Sequence, residues 1–296
     1  MEKLTIEAVD REKLTENDFR GIHEVMQDMW ASESGLGELA QCKCCGKMLS
    51  KEHVFGHLSK ELIQEKVAHI MNILGLDSIS CTICGGDTRL IYGPSNVEKI
   101  KDRVLNSVDA FLVLCKSDEK GIVGFNEGYI DSLDRIFQLD LHDHYENVGL
   151  AEIRRRIEKN LGYFPKEILS MSALGLLKPY RSFQNLFRLV NKYALTLPES
   201  RRGIPGLVEY DRGGTTHRMN SDVNRGISLG IEDDPELRAK MTRVGEKYNC
   251  DLIIYPDVVG MQKDFFSKDV RHYFRMSKGK TSPHLEQTID KELVAA

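Results

Sequence analysis

The amino-acid sequence predicts an α/β (α+β) fold, with a mixed β-sheet flanked by helices and a small cysteine-containing insertion. Two observations predict the sheet. An apolar strand-like run passes through a short polar turn into a helix-like run over 167–190, and a β-hairpin pattern covers 110–130. The insertion is predicted by two copies of the motif Cys-x-x-Cys-Gly, which lie between positions 42 and 86.

Length and composition restrict the class of protein. With 296 residues, the chain can bury one substantial core, with or without an inserted small module. Charged residues make up 29% of it, but the net charge is only −4, which gives no electrostatic basis for a nucleic-acid partner or an anionic membrane. The longest apolar runs, such as 110–115 and 252–255, are too short to span a bilayer. The first eleven residues are charged throughout, so we expect no signal peptide and a cytoplasmic location.

The stretch 167–190 is the centre of the predicted domain. Its first half is too dense in apolar residues for a surface segment, and Pro179 ends the strand because proline lacks the amide donor of a β-ladder. Apolar residues from Phe183 onward then recur every three or four positions, which predicts a helix. The free amides at such a helix start, with Arg181 and Ser182 beside them, form a candidate phosphate-binding site. An ordinary strand–turn–helix is the alternative interpretation.

The two cysteine motifs together are the most specific functional signal in the chain. Their spacing lets both sulfurs of each motif reach one ion, and the following glycine lets backbone amides turn toward the thiolates. Seven cysteines in a chain without an export signal favour thiols or metal over disulfides. We therefore expect a closed, structural zinc site with four thiolate ligands, Cys42, Cys45, Cys81 and Cys84.

Other interpretations of the motifs stay open at this point. Cys44, His53 and His57 are alternative ligands, and four incidental thiols or a redox pair are alternatives to zinc. Helical spacing of apolar residues between the motifs predicts a helix there. Segment 41–92 is thus predicted to be a zinc-knuckle module, inserted into a domain formed by 1–40 and 93–296.

The hairpin over 110–130 contains the first candidate base. Gly124 and Gly128 in its second strand leave backbone accessible to a ligand. Glu127 stands between them and could accept a proton, although a solvated edge position is the alternative interpretation. The segment 140–144, with two histidines among acidic residues, is interpreted as a solvated loop rather than a metal or proton-transfer cluster.

The rest of the chain continues the alternation of elements. The stretch 198–233 has many turn-forming residues and no clean period, so we interpret it as a long loop. Further helices are predicted over 96–106, 150–161, 235–248 and 264–268, and further strands over 4–9, 251–259 and 270–276.

This order of elements resembles the GNAT superfamily of acyl-CoA-dependent acyltransferases, over roughly 1–40 and 93–276. The hairpin, with Gly121-Ile-Val-Gly124-Phe at the start of its second strand, resembles the central hairpin of that superfamily. The stretch 176–186 is similar to its cofactor motif, in which a hydrophobic strand end leads to an Arg-x-x-Gly-x-Gly/Ala turn. Here Gln184 and Leu186 stand where the family prefers small residues.

The resemblance implies a splayed sheet that binds acetyl-CoA or another acyl-CoA. In this family the pantetheine arm of coenzyme A pairs with the backbone of the central strand, and an amine acceptor approaches from the opposite side. Glu127 is the candidate base, and Tyr255 the candidate acid because Phe265 and Phe266 lack the hydroxyl that the family often has there. The implied cofactor-binding residues are Leu174, Leu176, Arg181, Ser182, Phe183, Gln184, Asn185 and Leu186.

The functional hypothesis is an N-acyltransferase that moves an acyl group, with acetyl favoured, to a small-molecule or peptide amine. A variant of this hypothesis takes the acyl group from an acyl-carrier protein. The competing hypothesis is a non-catalytic GNAT-like scaffold that binds a protein or nucleic acid through its zinc module. No motif identifies the acceptor or the oligomeric state.

Overall fold

A computed structural model describes residues 4–32, 39–90, 95–211, 226–241 and 250–267. The strands are β1 (Leu4–Val9), β2 (Ala40–Cys42), β3 (Met48–Leu49), β4 (Thr88–Leu90), β5 (Asp109–Ser117), β6 (Gly121–Asp131), β7 (Ile168–Leu176), β8 (Gly206–Asp211), β9 (Ile227–Ser228) and β10 (Cys250–Tyr255). The helices are α1 (Glu16–Ser32), α2 (Lys51–Phe55), α3 (Lys60–Ile63), α4 (Val67–Ile73), α5 (Ser95–Asn106), α6 (Leu133–Ile136), α7 (His142–Tyr145), α8 (Leu150–Leu161), α9 (Phe183–Thr196), α10 (Pro235–Lys240) and α11 (Val258–Ser267).

Seven strands form the main sheet, in the order β1-β5-β6-β7-β8-β10-β9. Neighbouring strands are antiparallel except β7 and β8, which are parallel. The predicted hairpin is β5 and β6, and Gly121 at its turn has a φ of +66°, a conformation that favours glycine. Most residues of these two strands are buried, because helices cover both faces of the sheet. The predicted fold class, a mixed sheet flanked by helices, is confirmed.

The sheet opens between β7 and β8. These two strands pair only where Leu169 meets Gly206 and where Ser170 meets Leu207, close to the start of each strand. Beyond Ser170 the two strands separate, and residues 171–174 of β7 are only half-buried. This divergence is the predicted splay of the sheet.

A β-bulge interrupts the pairing of β6 with β7 beside this opening. Glu127 pairs with Ala173 and Tyr129 pairs with Ser170, so Met171 and Ser172 both lie opposite a single residue, Gly128. A bulge leaves part of the ladder unpaired and bends the strand, and such irregularities are frequent beside functional sites.

Two hydrophobic clusters hold the helices on the main sheet. The larger contains residues of α1, α5, α9 and α11 together with all the central strands. The second lies beneath the helical segment 133–161 and covers residues of β7, β8 and β10. The helical segment therefore lies over the part of the sheet in which β7 and β8 diverge.

Several local predictions need correction. The segment 140–144 is helical rather than a loop, because a π-helical turn, Phe137–Leu141, joins α6 to α7. The helix predicted between the cysteine motifs is three short helices, α2 to α4. Within the described residues α10 ends at Lys240, and α11 is longer than the short helix predicted at its end. The strand predicted over 270–276 lies outside the described residues.

The cysteine-containing insertion has its own three-stranded sheet, in the order β3-β2-β4. Its helices α2 and α4 pack against α1, and Ala31 of α1 belongs to the same buried cluster as Phe55 and Val67 of the insertion. Across the described part of the chain, no helix combines the length and apolar character needed to cross a bilayer.

Candidate functional site

The four cysteines predicted to bind zinc converge on one point. Their Sγ atoms all lie within 4.8 Å of one another. The sulfur of Cys42 lies 3.5 Å from that of Cys84, and the sulfur of Cys45 lies 3.8 Å from that of Cys81. Each pair joins the two motifs, so the cluster ties the two ends of the insertion together.

The two motifs have the same backbone conformation. Gly46 and Gly85 follow the motifs with φ of +71° and +70°, in the left-handed region that favours glycine. Their amides donate to the carbonyl oxygens of Cys42 and Cys81. The glycine after each Cys-x-x-Cys therefore closes a tight turn around the sulfurs, as the sequence predicts.

The thiols perturb one another strongly. The amide of Cys45, with that of Cys44, lowers the pKa of Cys42 to about 6. The sulfur of Cys84 accepts a hydrogen bond from the amide of Gly86, which lowers its pKa. The neighbouring thiols oppose this effect and raise the pKa of Cys84 to about 12. Four sulfurs this close cannot all ionise without a cation between them, and a soft divalent ion such as Zn²⁺ supplies the missing charge. The donor set fits a tetrahedral zinc ion.

The alternative ligands lie outside this cluster. The ring of His53 contacts Ser50, the residue that caps the start of α2. His57 is exposed, and neither histidine belongs to the cluster of possible ligands found among the described residues. Cys44 is exposed and contributes its backbone amide, 3.3 Å from the sulfur of Cys42.

The predicted cofactor-binding residues follow the open edge of β7. Leu174 and Leu176 lie in the half of β7 that has separated from β8, and Leu177 donates its amide to Val123 of β6. The guanidinium of Arg181 donates from Nε to the carbonyl oxygen of Leu176 at 2.6 Å. This contact places Arg181 directly at the end of the strand.

The turn after β7 ends in a capped helix. Ser182 caps α9, because its hydroxyl accepts from the amide of Asn185 at 3.1 Å. The side chain of Asn185 donates to the carbonyl oxygen of Tyr180 at 2.9 Å, which braces the turn. Gln184 and Leu186 are exposed on the first turn of α9, and Phe183 is its first residue. The structure thus gathers the eight predicted cofactor residues along the end of β7 and the start of α9.

Glu127, the candidate base, is part of a buried ion pair. Its side chain is fully buried, and the Nε of Arg103 donates to its Oε1 at 2.8 Å. Burial raises the pKa of Glu127, and the charge of Arg103 opposes that rise. The carboxylate faces α5 and is engaged there, so a role as base stays a prediction that requires Arg103 to release it.

Asp140 joins this ion pair to the opening of the sheet. It accepts hydrogen bonds from four side chains: Arg103 at 3.2 Å, Tyr129 at 2.9 Å, Ser170 at 2.8 Å and Ser172 at 3.4 Å. Ser170 is the last residue of β7 to pair with β8, and Ser172 lies in the bulge. The network therefore runs from α5 through β6 to the point of divergence.

A second polar pair joins α7 to β8, one helical turn after Asp140. Nδ1 of His144, in α7, lies 2.9 Å from Oε1 of Glu209, in the half of β8 that no longer pairs with β7. Both side chains are 17% exposed. A histidine hydrogen-bonded to a carboxylate is oriented for proton transfer, which sequence reasoning missed because it interpreted 140–144 as a loop.

Tyr255, the candidate acid, lies in the core. It is 1% exposed, pairs with Gly206 of β8, and packs its ring against Gly226. The side chains of Phe265 and Phe266 lie outside the part that the structure describes. A catalytic role for Tyr255 stays a prediction.

Two other buried polar groups lie near the bulge. The hydroxyl of Tyr193, in α9, and the side-chain amide of Gln262, in α11, approach β6 and β7 respectively. Both residues fall on the inward side of amphipathic helices, where a sequence pattern gives no sign of a polar role.

Comparison with known proteins gives little further identification. No protein-family model matches the chain, and no curated protein sequence matches it. Among solved structures, one match is NAA60 from Arabidopsis thaliana in complex with a bisubstrate analogue. The match covers 53% of this chain and 79% of that one, with 13% identity and a TM-score of 0.28. A likeness at this level does not assign a fold family or an activity to the chain.

Proposed function

We propose that the chain is an acyltransferase that moves an acyl group, with acetyl favoured, from acyl-CoA to an amine. One observation carries the proposal: β7 loses its neighbour after Ser170 and ends at the capped start of α9. An open strand edge binds an extended chain through backbone hydrogen bonds, and a helix start binds phosphate. The two features lie in the order that coenzyme A, with its extended arm and its phosphates, would need.

In this proposal the pantetheine arm lies along the open half of β7. The backbone of Leu174 and the amide of Leu176 support it, since neither residue is paired with β8, whereas the carbonyl oxygen of Leu176 already accepts from Arg181. The phosphates lie at the first turn of α9. The amide of Asn185 there already donates to the hydroxyl of Ser182, so the phosphates would use the other amides of the turn. Gln184 and Leu186, which are larger than the residues the family prefers there, are both exposed.

The acceptor, a small-molecule or peptide amine, would approach the bulge from the side of α7. It must lose a proton when it attacks the thioester. We infer that His144, oriented by Glu209, accepts this proton, because it lies at the divergence of the strands and keeps some exposure. Glu127 is buried and ion-paired with Arg103, which also pairs with Asp140. We infer that this charge network holds β6 and β7 in position.

We also propose that Cys42, Cys45, Cys81 and Cys84 hold a structural zinc ion. Four thiolates fill its coordination sphere, so the ion offers no position for a catalytic water. Its role would be to close the insertion 41–92, whose helices are short and whose cores are small. The insertion packs on α1 and would shape the region beside the acceptor.

Isothermal titration with acetyl-CoA and a longer acyl-CoA tests the proposal. We expect measurable heat and a thermal shift for at least one of them, and no response to any acyl-CoA would refute the function. Arg181→Ala should weaken binding, whereas Lys192→Ala, which removes an exposed cation further along α9, should not. Arg181→Lys keeps the charge but removes the Nε that donates to the carbonyl oxygen of Leu176, and so separates phosphate attraction from support of the strand end.

One observation favours the alternative function, a scaffold that binds another protein. Four large apolar side chains of the insertion are exposed, between 37% and 63%: Ile73, Leu74, Leu76 and Ile83. Exposed apolar groups of this size often mark protein contacts. A stoichiometric partner that co-purifies with the full chain, and is lost in Ile83→Ser, would favour the scaffold. Retained acyl-CoA in the purified protein, detected by mass spectrometry, would favour the enzyme.

A further inference from the structure

The helical segment between β6 and β7 contacts both of the diverging strands through two residues one turn apart. Asp140 accepts from the hydroxyls of Ser170 and Ser172 of β7, at 2.8 Å and 3.4 Å. Nδ1 of His144 lies 2.9 Å from Oε1 of Glu209 of β8. Side chains four positions apart share one face of a helix. Asp140 and His144, here called the strand-linking pair, therefore join β7 to β8.

These contacts lie immediately beyond the last backbone pairing of the two strands. Ser170 and Leu207 are the last residues of β7 and β8 that pair with each other. Ser172 and Glu209 each lie two positions further along their strands. Within the described residues, the strand-linking pair thus supplies side-chain contacts at the position where the backbone pairing of β7 with β8 ends.

Apolar packing fixes the strand-linking pair on the sheet. Phe137, Leu141 and Tyr145 of the same segment are buried, in one hydrophobic cluster with residues of β7, β8 and β10. Asp140 directly precedes Leu141, and His144 directly precedes Tyr145, so the same packing sets the place of both polar side chains. Asp140 also lies in the π-helical turn, a rare conformation that is frequent at functional sites.

The hydrogen bonds of Asp140 restrict its role. A carboxylate has about four acceptor positions, two on each oxygen. Oδ1 accepts from Arg103 and Ser172, and Oδ2 accepts from Tyr129 and Ser170. All four positions are used, so the carboxylate holds protein groups in place rather than a ligand or a transferred proton.

We propose that Asp140 is a positioning residue, which acts with the contact of His144 and Glu209 to set the separation of β7 from β8. The inference rests on the proposed function, in which His144 accepts the proton of the amine beside a donor held on β7. A displacement of about 1 Å between reacting groups can lower a rate about 10²-fold. No backbone pairing holds the two strands together beyond Ser170 and Leu207, so the side-chain contacts keep His144 in register with the donor.

A double-mutant cycle on kcat for transfer from acetyl-CoA to an amine tests this role. Asp140→Ala frees β7 from the segment but leaves Arg103 paired with Glu127, so no unpaired charge is buried. Glu209→Ala frees β8. We expect each variant to lower kcat about 10- to 100-fold, and the double variant to be no slower than the slower single variant, because either loss breaks the same link. The Kd for acetyl-CoA should change little, since the proposed donor contacts lie on β7 and α9 alone.

Two control variants separate positioning from charge and from stability. Asp134→Ala removes an exposed aspartate of the same segment that pairs with Arg154, and kcat should stay at the wild-type value. Ile157→Val removes a buried methyl group from the cluster beneath the segment, and it should lower the Tm without a comparable loss of kcat.

Hydrogen exchange measures the link without any substrate. In Asp140→Ala the amides of 171–176 and 208–211 should exchange faster than in wild type, whereas those of β5 should keep their protection. If Asp140→Ala does not fold, Ser170→Ala replaces it in both measurements, because it removes one contact of β7 and leaves Tyr129 on the carboxylate.

The contrary outcomes are distinct. Losses of kcat that multiply in the double variant would mean that the two contacts act independently, which would refute the inference and leave the proposed function standing. Unchanged exchange of 171–176 would refute it as well. If the wild-type protein neither binds acetyl-CoA nor transfers its acetyl group, the proposed function fails, and faster exchange in Asp140→Ala would still support the link between the strands.

Discussion

Lys51 and Asp28 form a buried ion pair that fastens the cysteine-containing insertion to the first helix of the main domain. Nζ of Lys51 lies 2.5 Å from Oδ1 of Asp28, and the two side chains are 4% and 9% exposed. The same ammonium donates to the carbonyl oxygen of Glu65 at 2.7 Å. One charged group of the insertion therefore satisfies partners on both sides of the boundary.

Removal of one member of this pair should destabilise the protein strongly. Lys51→Met leaves the carboxylate of Asp28 buried without its cation, and we expect the free energy of unfolding to fall by about 3–5 kcal/mol. The double variant Asp28→Leu with Lys51→Met should recover much of the loss, because no uncompensated charge remains. Urea denaturation measures the free energy of unfolding of the single and the double variant. Equal losses in the single and double variants would mean that packing, rather than the buried charge, holds the insertion.

If the four cysteines hold zinc as proposed, loss of the metal should unfold only the insertion. Cys81→Ser should release the metal and expose the amides of 41–92 to hydrogen exchange, while the amides of β5 and β6 stay protected. Cys44→Ser is the matched control, because Cys44 is exposed and outside the sulfur cluster, and it should retain stoichiometric zinc. Elemental analysis and exchange by mass spectrometry give the two readouts. Wild-type protein without zinc, prepared without chelators, would contradict the site.

The histidine pair in α7 provides an internal comparison for proton transfer. His144→Gln should lower kcat for transfer to an amine by about 10²–10⁴-fold, with little change in the Kd for acyl-CoA. His142→Gln, two residues away and 46% exposed, should leave both unchanged. Glu209→Gln should lower kcat less than His144→Gln and shift the pH profile. Equal rates in the two histidine variants would exclude His144 as the base.

Acid stability should depend on Glu152 in α8. Hydrogen bonds from Arg155 and Arg156 lower the pKa of Glu152 from 4.5 to about 2. Because the folded state holds this proton less tightly than the unfolded state, the stabilisation is present above pH 4.5 and is lost as the pH falls toward 2. Glu152→Gln should reduce the slope of stability against pH in that window, as measured by thermal unfolding. Glu158→Gln, at an exposed position of the same helix, should keep the wild-type slope.

Features that depend on short spacings were predictable from the sequence. The hairpin β5–β6, the limits of α8 and the two Cys-x-x-Cys-Gly motifs that converge are each recognisable from a local pattern of residues. In each case local geometry decides the outcome: side-chain period, turn conformation, or the reach of two sulfurs to one ion.

The chemistry around the opening depended on contacts between residues distant in the chain. Glu127 looks like an edge carboxylate in sequence, but Arg103, 24 positions away, buries it in an ion pair. Asp140 and His144 look like a solvated loop, but the segment that carries them folds as a helix over β7 and β8 and meets Ser170 and Glu209. The sequence alone determined the central hairpin, helix α8 and the four thiols that converge. Only the tertiary structure decided which charges face each other, because burial and pairing of a polar group depend on elements whose separation in sequence carries no signal.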